Sequence, residues 1–579
     1  FQADAPHHLR VCQECLNSLL KDKMPEAALA NGLWLGDFPD HLRGATFVEM
    51  MAASPVRISG MVLALDELKV GNVRGSAKSL MRGTFTFYMQ DAYGVQLHLP
   101  ACDTDIAGSF TCALVGAKPS VGQLRKLFVL THSGQMVSDF HNPGLFVGAY
   151  FDLFPHGVGG HLDKRTRPLD LKRWAQILLR RRDARFRKSR TFLYCVCALI
   201  FRREAISNAR WKLRGRVPRD VASRIAGVTA QDLRAVAAEM ETGSSGFSAL
   251  ADRPGIRDLI KNMESVHAGA SWTIYNERST RMIAISFIVQ MGQPLFWLTI
   301  NPADVNSPIV MVLAGVELDV TSRLKADFPA YADKLRFVAN DPVASADFFH
   351  ATIDAVLTCL LRFGACDGDG GVLGRVKGYV GMTEEQKRLT LHCHLLVWVY
   401  GYNDFASFRE LMDKTPTRYF ELAEYLDEVI FDQIATLSDI NHVMRGPRNN
   451  VHDDKYAHLM YLDLAGLTGG ANLHKCQATC RKFNHGDSCS IAHLVNDNGL
   501  PDPLSDRFTA ELRRLHSHIN SFNPVIQFAI RSNMDLKILL RDSDAKGLLF
   551  YILNYSTKTE QTLDVLLPLL APVAERIRE

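Results

Sequence analysis

The segment Leu389-Thr-Leu-His-Cys-His-Leu-Leu-Val-Trp-Val399 has the apolar content of a buried strand and carries two histidines one residue apart. In a strand, residues two apart share a face, so His392 and His394 project together. Cys393 points the other way, to the apolar side with Leu391, Leu395 and Val397. Two imidazoles at this spacing can hold one cation and leave room for a third protein ligand and for substrate oxygens. The same spacing suits a pair of satisfied histidines on a half-buried strand, and the motif alone does not choose between them. Just upstream, Gly378-Tyr-Val-Gly-Met-Thr-Glu-Glu-Gln-Lys-Arg388 reads as a strand and a turn that fold Glu384, Glu385 and Gln386 back beside the histidines. Any of the three could complete the site. A hard oxygen ligand with two imidazoles suits Mg²⁺ or Mn²⁺ serving a phosphate, whereas imidazoles alone favour softer ions.

Working outward, residues 291–399 alternate strand-like segments, such as Leu295-Phe-Trp-Leu-Thr-Ile300, with the helical Ala346 to Arg362. This is the pattern of an α+β domain with an antiparallel sheet, a parallel sheet being the alternative from pattern alone. Helices are expected to follow from Phe405 to Leu437. Residues 1 to about 140 open with the CxxC pair Cys12 and Cys15 and continue into short alternating segments such as Arg82 to Met89, which read as strands. Asn142-Pro-Gly144 and Phe154-Pro-His-Gly-Val-Gly-Gly160 mark a loop and a boundary. From Lys172 to Arg190, nine of nineteen residues are Lys or Arg and one is acidic, Asp183, interleaved with Trp174, Phe186 and several Leu in a helix-like pattern. That is an electrostatic footprint for phosphates, set against the commoner case of a solvated charged helix face.

The whole chain, 579 residues with 47% hydrophobic, 22% charged and 9% aromatic, has the profile of a folded protein and excludes disordered and collagen-like classes. Its length suggests roughly three to five structural units. The net charge of +4 says little about partners, so the local distribution matters more. The longest apolar runs, Ala355 to Phe363 and Leu563 to Ala571, fall short of the ~20 residues that span a bilayer, so no membrane span is expected. Phe1 to Arg10 lacks the pattern of a secretory signal and has no initiator Met, which reads as a fragment or an internal start. Twelve cysteines in that setting point to a reducing compartment and to metal ligation more than to disulfides. His474, Cys476, Cys480 and Cys489 lie within sixteen residues and suit a closed tetrahedral Zn²⁺ site that stabilises a loop, with His485 as a rival ligand. Cys12 and Cys15 have no visible second pair.

Near the end, Asp542 or Ser543 is a plausible N-cap for a helix on which Tyr551, Tyr555 and Lys558 fall at i, i+4 and i+7 on one face. The order His-hydrophobe-His on a strand, then Tyr-x-x-x-Tyr-x-x-Lys far downstream, resembles the replication-initiator-type nuclease of Helitron rolling-circle transposases. Further matches are Leu153 to Gly160, the basic Leu178 to Phe186, Thr299-Ile-Asn-Pro-Ala-Asp304, Glu384-Glu-Gln386 and Arg531-Ser-Asn-Met-Asp535. The resemblance runs from about residue 145 to 560. Cys12 to Gly36 also looks like a domain that precedes this nuclease in many fungal Helitron proteins.

The resemblance implies a single-stranded DNA endonuclease and strand transferase acting on transposon ends. Mg²⁺ or Mn²⁺ is held by His392, His394 and Gln386, with Glu384 or Glu385 as the alternative third ligand. Tyr551 or Tyr555 is the nucleophile, forming a 5′-phosphotyrosine, and Lys558 assists. It also implies a structural Zn²⁺ at His474, Cys476, Cys480 and Cys489, DNA contacts through Arg180, Arg181, Arg182, Arg185, Arg187 and Lys188, and residence in the nucleus. The corresponding division is a Cys-containing domain at 1–140, a basic helical region at 141–270, a nuclease core at 271–470, a zinc module at 471–495 and a tyrosine-helix region at 496–579. Two departures stand out: Arg388-Leu389 replaces the usual Arg-Gly before the histidine strand, and no GxxxxGK[ST] is present, so ATP-driven unwinding is not expected of this chain. The rival reading is a transposon-derived single-stranded DNA binder that has lost catalysis.

Overall fold

A computed structural model describes residues 11–37, 39–40, 54–64, 69–70, 73–74, 79–89, 137–189, 191–214, 219–229, 253–267, 274–316, 329–365, 370–385, 391–402, 417–434, 454–474 and 516–539, with a few further positions between them. The chain divides into two compact units, one of Phe1–Ile206, Ala314–Glu317 and Arg323–Val343, the other of Ser207–Leu313, Leu318–Ser322 and Ala344–Glu579.

In the first unit, strands β1 (Val56–Ala64) and β4 (Ser79–Met89) pair antiparallel, as do the short β2 (Lys69–Val70) and β3 (Val73–Arg74). Its core is aromatic. Trp174 is fully buried, lies parallel to Phe154 at 6.2 Å, and is surrounded by Phe146, Phe186 and Phe192. The Gly/Pro stretch expected to be a boundary loop lies inside this packing, and residues on both sides of it, Leu33 and Leu35 before and Leu169 to Leu199 after, share one core with Leu145 to Phe154 within it. The amides of Gly159 and Gly160 donate to Asp163 Oδ2 at 2.6 and 3.0 Å, Trp174 Nε1 donates to the Gly159 carbonyl at 2.9 Å, and the Arg165 guanidinium donates to the carbonyls of Gly159, His161 and Asp163. Glycine is required at 159: φ is +88°, and a Cβ there would meet Leu35 Cδ2 at 2.1 Å.

The basic segment is broken where a continuous helix was expected. A helix runs over Leu171–Leu179, capped by the Asp170 carboxylate accepting from the Arg173 amide at 2.8 Å, and a single turn follows at Arg185–Lys188. Between them Ala184 adopts φ 57°, and Asp183 pairs with both Arg181 (3.3 Å) and Arg185 (2.9 Å), holding the chain in the bend.

The second unit is built on a four-stranded sheet of order β6-β7-β5-β8, antiparallel throughout, from β5 (Phe296–Ile300), β6 (Val376–Glu385), β7 (Leu391–Val399) and β8 (Met534–Ile538). The α+β class and the antiparallel sheet are therefore as read from the sequence. One sheet face carries Phe296, Leu298, Ile300, Cys393, Leu395, Val397 and Leu536 against helices that contribute Phe349, Leu426, Leu464 and Ile526. The opposite face, which carries the histidines, is covered over its far half as well: Trp297, Val380, Leu396 and Trp398 pack with Ala284 of the Ile274–Met291 helix. Burial on both sides explains why β5 and β7 read as near-continuous apolar runs. Among the described residues, Pro342–Leu360 is the one helix long and apolar enough to cross a bilayer, and its Phe349 and Val356 lie in the sheet's core.

Candidate metal centre

The β6–β7 hairpin puts Glu384 directly opposite His392, and Met382 opposite His394. Because Met382 and Glu384 are two apart on one strand and the histidines two apart on the other, all four side chains share a face. That face is apolar at one end, where Leu396 and Trp398 lie under the Ile274–Met291 helix, and polar at the other. The result is three potential ligands clustered on one hairpin. Glu384 Oε1 is in contact with His392 Nε2 and lies 3.1 Å from His394 Nε2, and one ligand atom from each residue falls within 4.8 Å of the others. Among the described residues this is the one group of three or more His, Cys, Asp or Glu side chains arranged to hold a metal.

Burial makes these imidazoles good ligands. His392 is 3% exposed, and loss of hydration holds its pKa below the ordinary histidine value even though Glu384 pulls the other way. Loss of hydration also carries His394 down to about 4, against a smaller upward pull from Asp535. Both rings are thus neutral near pH 7, the form whose lone pair binds a cation.

A second layer orients His394. Its Nδ1 lies 2.9 Å from Thr299 Oγ1, which in turn accepts from Trp297 Nε1 at 2.8 Å, and the indole meets the imidazole edge to face at 5.3 Å. Thr299 faces His394 across the β5–β7 ladder and Asp535 across the β5–β8 ladder. A hydroxyl can donate or accept, so Thr299 supports either tautomer: Nε2–H toward Glu384, or Nδ1–H toward Thr299 with the Nε2 lone pair free for a cation. Thr299→Val is expected to weaken Mn²⁺ binding by ~10–100-fold, with Thr299→Ser restoring it, as measured by calorimetric titration. Trp297 and this use of Thr299 were missed in the sequence because they arrive from a strand almost a hundred residues away; the Thr299–Asp304 match to the family pattern was the available signal.

The other expected site residues fare differently. Gln386, Tyr551, Tyr555, Lys558, Cys476, Cys480 and Cys489 lie outside the described residues, as does the Glu385 side chain. His474 is described: its amide donates to the His518 carbonyl at 2.7 Å and its ring lies parallel to that of His518, beside His516, a pair that the sequence reading did not single out. In the basic segment, Arg180, Arg182 and Lys188 are exposed. Arg185, besides its pairing with Asp183, donates to the Gly36 carbonyl at 3.0 Å, and Arg187 is ion-paired with the buried Asp341 at 2.9 Å.

Residues 174–397, a span that contains most of the basic segment and all three members of the Glu384, His392 and His394 group, match the family model described as the Helitron helicase-like domain at N-terminus. The matched span, which holds the Glu384, His392 and His394 group, is thus similar to the N-terminal domain of Helitron proteins. Residues 21–138 match a second family model, the domain of unknown function DUF6570. No curated protein matches the chain. Within the Helitron-like span, the match ends at Val397, inside the strand that carries both histidines.

Proposed function

We infer that the protein is a metal-dependent single-stranded DNA endonuclease and strand transferase. The observation that carries this reading is the convergence of one Glu384 oxygen on the Nε2 atoms of two neutral histidines, His392 buried and His394 half-buried. One carboxylate and two imidazoles form a mixed donor set that fits a divalent cation and leaves positions for phosphate oxygens, with Gln386 as a further candidate ligand. A cation there supplies Lewis-acid charge to a scissile phosphodiester. Glu384 brings negative charge to the ligand set, His392 and His394 present lone pairs, and Thr299 fixes the His394 ring.

The nucleophile in this reading is Tyr551 or Tyr555. A phenol with pKa ~10 must be ionised near pH 7 at a cost of about 4 kcal/mol, which the positive charge of the site and of Lys558 offsets. The phenolate oxygen bonds to phosphorus, the bond from phosphorus to the 3′ oxygen breaks, and that oxygen leaves as a hydroxyl after taking a proton. The resulting 5′-phosphotyrosine keeps the energy of the phosphodiester, so a second 3′-hydroxyl can displace it and rejoin strands. Two tyrosines allow two strands to be held in turn.

Incubating the full chain with labelled single-stranded DNA and Mn²⁺ is expected to yield a denaturant-resistant protein–DNA adduct that is absent from the Tyr551→Phe, Tyr555→Phe double variant. Cleavage without an adduct would replace this mechanism with attack by water. Binding with neither would make the protein a catalytically decayed DNA-binding relic.

A further inference from the structure

The first unit presents an indole to solvent in a place where its neighbours are buried. Leu33 and Leu35 are each 1% exposed, whereas Trp34 between them is 56% exposed and lies against the His156 ring, with centroids 5.2 Å apart and planes 24° from parallel. An exposed indole joins a large apolar face to a polar N–H, the combination enriched where proteins bind partners. The pair is held in a fixed setting. Gly36, at φ +70°, admits His156 so closely that a Cβ would stand 2.2 Å from the imidazole, and Gly159 admits Leu35 in the same way. From beneath, Arg181 Nη1 donates to the Leu33 carbonyl at 3.1 Å and Arg185 Nη2 to the Gly36 carbonyl at 3.0 Å. Guanidinium groups therefore grip both ends of the four-residue stretch that displays Trp34.

That stretch also borders a cleft. Leu33 and Gly36 share the wall of a cavity of about 1140 Å³ with Arg173, Arg180, Arg181, Arg182 and Arg185, against the carboxylates of Glu14, Asp37 and Asp183. Glu14 is ion-paired with Arg173 at 2.6 Å, and Asp183 with Arg181 and Arg185, which leaves the cleft with an excess of positive charge. Arg180 and Arg182 are exposed on its rim.

We propose that this surface binds single-stranded DNA, with one base stacked on Trp34 beside His156 and the adjoining phosphates lying along Arg180 and Arg182. An aromatic platform needs a base whose π-face is open, which an unpaired strand offers and a duplex hides, while the arginine excess attracts the phosphates. The choice of DNA over RNA rests on the nuclease reading; the platform and its charge do not.

The test measures binding of a fluorescein-labelled oligothymidylate to the full chain by anisotropy, with EDTA present so that the metal centre plays no part. Trp34→Ala is expected to weaken binding roughly tenfold or more, with Trp34→Phe retaining most of the affinity. Arg180→Ala with Arg182→Ala should lower the slope of log affinity against log salt by about 0.7 for each phosphate that is no longer neutralised. Because EDTA withdraws any divalent cation from the metal centre, failure of that centre and failure of the stacking site are read separately. Unaltered binding by Trp34→Ala would overturn the proposal, as would equal competition by duplex DNA. Tighter binding of oligouridylate would overturn the assignment to DNA.

Discussion

His392→Ala is expected to slow adduct formation with single-stranded DNA by ~10²–10⁴-fold. A cation acting as a Lewis acid contributes several kcal/mol to a phosphoryl-transfer barrier, and each 1.36 kcal/mol is a tenfold change in rate. His392 is the most enclosed member of the ligand group, and its Nδ1 is buried without a hydrogen-bond partner, so its polar interaction runs through the Nε2 atom that faces Glu384. Truncation removes a ligand and leaves Glu384 against a void. Single-turnover measurement of the adduct, alongside Mn²⁺ titration and far-UV circular dichroism, separates loss of the site from loss of the fold. A folded variant that forms adduct at the unsubstituted rate would show that these imidazoles take no part in the chemistry.

Trp398→Ala is expected to destabilise the second unit by about 3–5 kcal/mol. The side chain is fully buried, packs at 6.0 Å from Phe287 of the Ile274–Met291 helix, and donates from Nε1 to the Gly292 carbonyl at 2.7 Å. Alanine would leave a cavity between helix and sheet and an unpaired carbonyl at the point where the helix turns into β5. With an unfolding entropy of about 2.1 cal/mol/K per residue, a unit of this size loses ~1–2 °C per kcal/mol, so the melting transition should fall by ~3–10 °C in differential scanning calorimetry. A shift within a degree of zero would mean that the helix does not depend on this packing.

The hairpin was the most legible part of the molecule. Period-two alternation placed Cys393 in the core and both histidines on the opposite face, and the short separation from Glu384 brought a carboxylate to them; the structure has the same arrangement. The resemblance favoured Gln386 as third ligand with Glu384 or Glu385 as the alternative; Glu384 is in contact with the histidines, and Gln386 and the Glu385 side chain lie outside the described residues. What alternation could not show is the cover over Leu396 and Trp398, because a helix a hundred residues earlier supplies it. The Gly-rich stretch misled for a similar reason. Glycines usually signal turns, but Gly159 is needed for close approach to Leu35, a contact across more than a hundred residues. Charge counting likewise gave the basic segment its sign without showing that Arg181 and Arg185 are tied to backbone carbonyls while Arg180 and Arg182 face solvent.

The three clustered ligands are contributed by one hairpin, with Glu384 and His394 ten residues apart in the chain, whereas Trp297 and Thr299 reach the cluster from a separate part of the sequence. Contacts so close in sequence cost little loop-closure entropy and form within microseconds, long before a strand from a distant segment docks. The order of assembly follows: the binding atoms can meet early in the life of the nascent chain, and the later arrival of β5 sets the ring that they already share.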